Sequence, residues 1–222
     1  MLLAQISTLR FPPAQFSPAQ FRDVFNRLSA METFNYTTTG DGVEMATPLK
    51  DGGDMIKIGL NKEAVQVAFD PTGRSAEFAA EQLVAIVKEV SSILPVPVFV
   101  HSTHVIRKVL PLKGTTDARQ FMLNEVVHIP SGRIEGWKRS FASVGMRFIF
   151  PPQQVNELSA HDLKVESFMQ DPSKLFIENT ANYLTPLPAG QWDTLKANLA
   201  DANRFLDEYS IALVRGAPRP DA

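Results

Sequence analysis

Three of the four histidines, at positions 101, 104 and 128, lie in one stretch of the chain, and histidine can serve as a metal ligand or a general base. His101 and His104 belong to an apolar, strand-like run, where side chains three residues apart point to opposite faces of a sheet. Both rings could reach one metal ion only if a bulge or break interrupted the strand at Ser102-Thr103. We therefore predict that these histidines sit in a strand or at its edge, and that the protein holds no metal and no cofactor. His101 and His104 remain candidates for contact with a ligand or partner.

Arg10 and Arg147 each lie near the end of an apolar run, on the strand face opposite the phenylalanine that ends the run. A guanidinium group can grip a carboxylate or another anion through two hydrogen bonds, so both arginines are candidates for binding an anionic ligand or a protein partner. The alternative is a solvated sheet face on which they pair with Glu44 or Glu166. Since an arginine inside a sheet face is costly without a carboxylate, we expect both to be partly buried and paired.

Trp137 stands between Arg133 and Lys138-Arg139, a combination of basic and aromatic residues that single-stranded nucleic acid binding also uses. The formal net charge of -2 and the pI of about 6.1 give no electrostatic case for nucleic acid or an anionic membrane. We therefore interpret Trp137 as an anchor of its loop to the core, with the basic residues in water. It is kept as a candidate partner-binding residue.

Other signatures of chemistry are missing from the sequence. Cysteine is absent, which excludes disulfides, thiolate catalysis and cysteine-ligated metal centres. There is no glycine-rich phosphate loop, no Gly-x-Ser-x-Gly turn and no His-Glu-x-x-His pattern. Asp51-Gly52-Gly53-Asp54 lacks the distal glutamate of a calcium loop and predicts a hairpin turn.

Local patterns predict the elements of the first half. Leu2 to Phe11 is a strand stopped by Pro12-Pro13, and Ser17-Pro18-Ala19-Gln20 can cap the helix that follows. Phe34 to Asp70 alternates with a period of two and predicts an antiparallel meander. A long helix capped near Ser75 then runs to Pro95.

The second half begins with a strand over Val96–Leu110 that is interrupted around residues 101–104. Thr115-Thr116-Asp117 can cap a shorter helix, and residues 128–136 predict an exposed loop. The remaining predicted elements are strands over residues 144–150, 163–169 and 175–183, a helical turn over 153–158, and a last helix that starts near Trp192.

A repeat relates the two halves, since Phe11-Pro12-Pro13 returns as Phe150-Pro151-Pro152. Each half reads strand, proline stop, helix, antiparallel strands and long amphipathic helix. We predict an α+β fold of two β-α-β-β-α halves related by internal duplication, with helices on one face of antiparallel strands and with Phe11 and Phe150 in equivalent core positions. The predicted halves are residues 1–95 and 96–222, with an insertion at 111–141, and the alternative is one continuous domain. The competing explanation is that short proline stops are common.

The strand ending Leu9-Arg10-Phe11-Pro12-Pro13, the Trp137 segment and Val144-Gly145-Met146-Arg147-Phe148 together resemble a group of uncharacterised bacterial proteins. In that group an asparagine typically follows the later aromatic pair, whereas Ile149-Phe150 stand here. The resemblance implies a duplicated α+β architecture and no known activity.

Length and composition are those of an ordinary globular protein. The 222 residues are 44% hydrophobic and 21% charged, with a mean hydropathy of -0.08. No run approaches the roughly 18 apolar residues of a membrane span, and the first residues lack the basic start of a signal peptide. We therefore expect a cytoplasmic protein without a membrane partner.

Three functions are compatible with these patterns. The leading hypothesis is a non-enzymatic module that works through protein–protein contacts as a homodimer. The alternative is a binder of a small apolar ligand, held between a curved sheet and the helices. An enzyme that uses Arg147, His101 or His104 in such a pocket comes third. An enclosed apolar cavity would favour the ligand binder, and a filled core with an apolar outer patch would favour the assembly module.

Overall fold

The structure is a computed structural model. It describes residues 1–32, 34–48, 55–70, 74–112, 114, 116–134, 136–137, 140–153 and 159–215. The hairpin turn predicted at Asp51–Asp54 and most of the helical turn predicted at residues 153–158 lie outside the described residues.

The first half of the chain follows the predicted order of elements. They are β1 (Leu2–Arg10), α1 (Pro18–Ser29), β2 (Asn35–Thr38), β3 (Gly42–Pro48), β4 (Met55–Asn61), β5 (Ala64–Asp70) and α2 (Ala76–Ile93).

The second half contains longer strands and a helical segment of mixed type. Its elements are β6 (Val98–Phe99), β7 (His101–Pro111), α3 (Ala118–Phe121), a π-helical segment (Met122–Val127), α4 (Ser131–Ile134), β8 (Gly145–Phe150), β9 (Ser159–Ser167), β10 (Lys174–Tyr183), β11 (Leu187–Pro188), α5 (Trp192–Phe205), a second π-helical segment (Leu206–Ser210) and α6 (Ile211–Arg215).

Two helices begin at the residues that the sequence predicts. Ser17 Oγ accepts a hydrogen bond from Gln20 N–H at 3.3 Å, and the Gln20 side chain accepts one from Ser17 N–H at 2.9 Å, which completes a capping box at α1. Ser75 Oγ accepts from Phe78 N–H at 3.1 Å and caps α2, which ends at Ile93 and is followed by the C-cap Leu94 and by Pro95.

Nine strands form one antiparallel sheet in the order β2-β3-β4-β5-β1-β7-β10-β9-β8. The last long strand of each half returns beside the first, so β5 lies next to β1 and β10 next to β7. The two halves meet where β1 pairs with β7 at the middle of the sheet. Read outward from this pair, β7, β10, β9 and β8 occupy the places of β1, β5, β4 and β3.

The helices cover one face of this sheet, called the inner face below. Side chains at alternate positions of each strand, such as Ile56, Ile58 and Leu60 on β4, point to it and are buried. They form two apolar clusters, the first under α1, α2 and the beginning of α5, and the second under α3 and the end of α5. The predicted α+β class is thereby confirmed. Among the described helices, none is both long and apolar enough to cross a membrane.

The predicted equivalence of Phe11 and Phe150 is wrong. Phe11 follows the central strand β1 and is buried in the first apolar cluster, whereas Phe150 ends the edge strand β8 and is half-buried. The double prolines therefore end strands in unrelated places. Duplication of the whole unit stays a prediction.

Two glycines do occupy matching places in the two halves. Gly42 begins β3 and Gly145 begins β8, and a Cβ on either would meet the neighbouring strand, at 2.0 Å from Leu60 O and 2.5 Å from Glu166 Cβ respectively. Both positions need glycine because the neighbouring strand leaves no room for a side chain.

Two further details differ from the sequence predictions. The interruption expected around residues 101–104 falls at Val100 instead, and β7 runs without a break from His101. The loop expected over residues 128–136 contains the short helix α4. It begins after His128, whose positive φ of 54° ends the preceding π-helical segment in the left-handed region.

The capping box gives a test of the fold. Replacing Ser17 with alanine removes the acceptor for Gln20 N–H at the start of α1, so we expect the free energy of unfolding to fall by about 1 kcal/mol. Urea denaturation of Ser17→Ala beside Ser140→Ala, which removes an exposed hydroxyl from a loop, measures the difference. Equal stabilities would contradict the cap.

Candidate functional site

Arg147 lies on β8, on the outer face of the sheet, which faces away from the helices. Its Nε donates to Asp162 Oδ1 at 2.8 Å, and a second guanidinium nitrogen donates to Asp162 Oδ2. This guanidinium holds the pKa of Asp162 below its usual value. The Arg147 side chain is 66% exposed, so the expected partial burial is wrong, although the expected pairing is present. Exposed pairs of this kind contribute little to stability.

Arg10 ends β1 and is also exposed. Its guanidinium lies 3.7 Å from Glu63, a partner that differs from the predicted Glu44 or Glu166. Three strands, β7, β10 and β9, separate Arg10 from Arg147, so the two arginines do not form one site.

An open cleft of about 340 Å³ adjoins Arg10 on the outer face. Three carboxylates line it together with this single arginine, and they belong to Asp41, Glu44 and Glu63. The excess of negative charge disfavours an anionic ligand at Arg10.

His101 and His104 point to opposite faces of β7, as predicted. His104 lies on the inner face and is fully buried, with Nδ1 2.9 Å from Ser7 Oγ. Burial, with a smaller contribution from the charge of His101, lowers the pKa of His104 to about 3, so its ring is neutral at pH 7. His101 is half-buried on the outer face, beside Thr103 Oγ1 at 3.4 Å. Within the described residues, no three His, Asp or Glu side chains converge in a group that could hold a metal ion.

Trp137 is not an anchor to the core. Its side chain is 59% exposed and packs edge-on against Phe141, with 6.2 Å between the ring centroids. The interpretation of Trp137 as a core anchor is therefore wrong, and its aromatic surface faces solvent eight residues before β8 begins.

A row of polar side chains lies on the inner face where the two halves meet. We call it the polar seam and define it by Gln5, Ser7, His104, Asn179 and His161. All five are at least 94% buried. The seam lies between the two apolar clusters, on the strands β1, β7, β10 and β9.

Helix α5 closes the seam. Asn179 Nδ2 donates to Ala202 O at 2.9 Å and lies 3.2 Å from His161 Nδ1. The Tyr183 hydroxyl lies 2.9 Å from Asp201 Oδ2. Burial raises the pKa of Tyr183, and this carboxylate raises it further.

Sequence reasoning missed His161. The predicted strand began two residues later, at Leu163, whereas β9 begins at Ser159. Position 161 is an even number of residues from Leu163 and Val165, which are buried on the inner face. Extending the alternation backward by one period would have placed His161 on the same face.

The outer end of the sheet is apolar. Among the described residues, β8 pairs only with β9 and its other edge has no strand beside it. Phe150 at its end packs against Phe205 and Tyr209, at centroid distances of 5.0 and 5.5 Å. Ile149 is 69% exposed on the outer face. We define the β8 surface as Met146, Phe148, Ile149, Phe150, Tyr209 and Leu213.

Comparison with known proteins gives no family. No protein-family model and no curated protein matches the chain. Among solved structures, the di-domain ARO/CYC protein StfQ from the steffimycin biosynthetic pathway is 11% identical over 96% of this chain and 96% of its own. The TM-score is only 0.23, so this likeness carries no inference about fold or function.

The buried His104 predicts a loss of stability in acid. Its pKa is about 3 in the folded protein and close to 6.5 when unfolded, so the unfolded chain binds a proton that the native state refuses. The full stability is present above pH 6.5 and is lost as the pH falls from there toward 3. Between pH 7 and pH 5 we expect this histidine to cost about 2 kcal/mol.

Urea denaturation at the two pH values checks this prediction. The variant His104→Gln keeps a polar group near Ser7 but does not titrate, so its stability should fall by about 2 kcal/mol less than that of the parent. Parallel losses in parent and variant would show that another group is responsible.

Proposed function

We propose that the protein is a non-enzymatic assembly module that forms a homodimer by pairing its β8 surface with that of a second copy. The observation that carries the proposal is the open, apolar edge of β8 at the end of the nine-stranded sheet. An unpaired edge presents N–H and C=O groups that another strand can bind.

The pairing of β8 with β9 determines which of its residues direct their backbone N–H and C=O groups to the open edge. Ser167 N–H donates to Val144 C=O at 2.8 Å, and hydrogen-bonded pairs alternate along an antiparallel ladder. Positions 146, 148 and 150 therefore direct their backbone groups to β9. Arg147 and Ile149 direct theirs away from the sheet.

These outward groups match one symmetric pairing. In an antiparallel pair related by a twofold axis normal to the sheet, Phe148 faces Phe148 of the second copy. Arg147 then lies opposite Ile149 of the second copy, and each pair exchanges N–H···O=C bonds, about four bonds in all. Met146 would lie opposite Phe150 on the inner face, where aromatic and apolar cross-strand pairs are favourable.

Neighbouring registers are poorer. A shift in one direction places Arg147 opposite Arg147 of the second copy, and like charges directly opposed are destabilising. A shift the other way places Arg147 opposite Pro151, which has no N–H to donate.

The helical layer can extend the contact beyond the strand. Tyr209 stacks on Phe205 at 4.3 Å between centroids and borders Phe150, and Leu213 follows one helical turn later. Both side chains are exposed. In the twofold arrangement these helix ends flank the strand pair from both copies, which helps to reach the roughly 1,200 Å² of a stable interface.

The distribution of apolar surface supports assembly over the binding of an apolar ligand. The inner face carries two clusters of buried apolar side chains, while most of the large exposed ones belong to the second half. A cleft of about 390 Å³ adjoins the start of α2, but Lys108 and Asp207 pair across its lining at 2.7 Å and Glu77 adds a charge. Such a lining is a poor site for an apolar molecule.

Sedimentation equilibrium tests the dimer. Ile149→Lys places a cation against the arginine of the second copy, so we expect the dimer to weaken by at least about tenfold, or ~1.4 kcal/mol. Within its own chain the lysine lies opposite Asp162, so the fold should persist. Met169→Lys is the matched control, because Met169 is 73% exposed at the turn between β9 and β10. A monomeric parent, or equal effects of the two variants, would contradict the proposal. A variant that lacks residues 216–222 should still dimerise, and loss of the dimer in that variant would also contradict it.

The absence of cysteine allows a direct test of register. A single Phe148→Cys variant should cross-link rapidly to a disulfide dimer under mild oxidation, since position 148 lies opposite itself in a non-hydrogen-bonded pair. Ile149→Cys should cross-link more slowly, and Met169→Cys only by collision. Gel electrophoresis without reductant measures the rates. Fastest cross-linking at position 149 would indicate the neighbouring register.

A further inference from the structure

We infer that the polar seam binds ordered water molecules, which bridge Gln5, His104 and Asn179 beneath helix α5. This site is independent of the β8 surface and does not rest on the proposed dimer.

Four atoms of the seam point to this site. Within the described part of the protein, Gln5 Nε2 and Oε1, His104 Nε2 and Asn179 Oδ1 are buried without a hydrogen-bond partner. Gln5 and Asn179 occupy the same row of the sheet, on either side of Ile106 of β7. His104 lies two residues along β7 and is the diagonal neighbour of both. One compact region of the seam therefore holds all four atoms.

The energies decide that these atoms must be paired. A buried polar atom without a partner loses its hydration and gains no hydrogen bond in return. Four such atoms would together offset a large part of the small net stability of a domain. A native core with this many unpaired groups would be close to unfolding.

The chemistry of the four atoms selects a small, uncharged ligand. The Gln5 amide nitrogen can donate two hydrogen bonds and its oxygen accepts, Asn179 Oδ1 is an acceptor, and His104 Nε2 takes either role according to its tautomer. His104 is neutral, and Asp201, which lies 3.7 Å from His161, is engaged by Tyr183 and by Arg204 at 2.6 Å. These groups favour an uncharged ligand over a charged one. Water satisfies both donors and acceptors and commonly makes about three bonds in such places.

The direction in which the Tm changes in one variant shows whether water bridges the seam or the Gln5 amide is unpaired. In Gln5→Met, an apolar side chain of similar volume replaces the amide. If water bridges the seam, the change removes the hydrogen bonds between the water and the Gln5 amide, and His104 Nε2 and Asn179 Oδ1 lose part of their bridge. We therefore expect the Tm to fall by at least about 4 °C. If the Gln5 amide is unpaired, its removal relieves a penalty and the Tm rises. Gln66→Met, on the outer face of β5, is the matched control and should shift the Tm by no more than about 2 °C.

A measurement on the parent protein keeps the inference testable if Gln5→Met does not fold. In a crystal structure at about 1.5 Å resolution, we expect a water oxygen about 2.7–3.2 Å from the Gln5 amide and from His104 Nε2. A rise in Tm for Gln5→Met, or a crystal structure in which the Gln5 amide contacts His104 Nε2 directly with no water beside it, would overturn the inference.

Discussion

The antiparallel pairing of β1 with β7 is the interaction on which the rest of the structure depends. It joins two half-sheets that each bury their own apolar cluster, and it makes one sheet of nine strands. β1 and β7 are the first long strands of their halves, and the other strands of the sheet lie on either side of this pair. The polar seam also exists because of it, since Ser7 and His104 face each other across this pairing at 2.9 Å.

Joining the halves at the centre leaves two edges, and these are not alike. The edge strand β2 has four residues, is polar, and has Tyr36 packed against Phe25 at 5.0 Å between ring centroids. Short, polar edges of this kind resist pairing with other chains. The edge strand β8 is longer and carries three apolar side chains on its inner face, with Ile149 on the other. This physical difference between the two edges is the reason why the proposed assembly uses the second half.

Features set by neighbouring residues could be predicted from the sequence. The capping box at Ser17 and the shared inner face of Ile56, Ile58 and Leu60 depend only on spacing, and both are present. Features set by distant pairing could not. Nothing local to Arg10 or Arg147 shows that three strands lie between them, and nothing in Phe150-Pro151-Pro152 shows that it ends an edge strand. The π-helical segment at Leu206–Ser210, which aims Tyr209 at Phe150, also continues an ordinary helical pattern in the sequence.

The double proline after β8 gains a role once its strand is known to be an edge. Pro151 and Pro152 have no N–H, so they stop the ladder after Phe150 and confine any added strand to the six residues of β8. A short edge paired about a twofold axis uses the same residues on both copies and leaves no further apolar edge exposed. The remaining edge at β2 is short and polar, so growth by strand addition would end at two copies. In the proposed assembly, the prolines that end β8 would therefore also limit growth to a closed dimer.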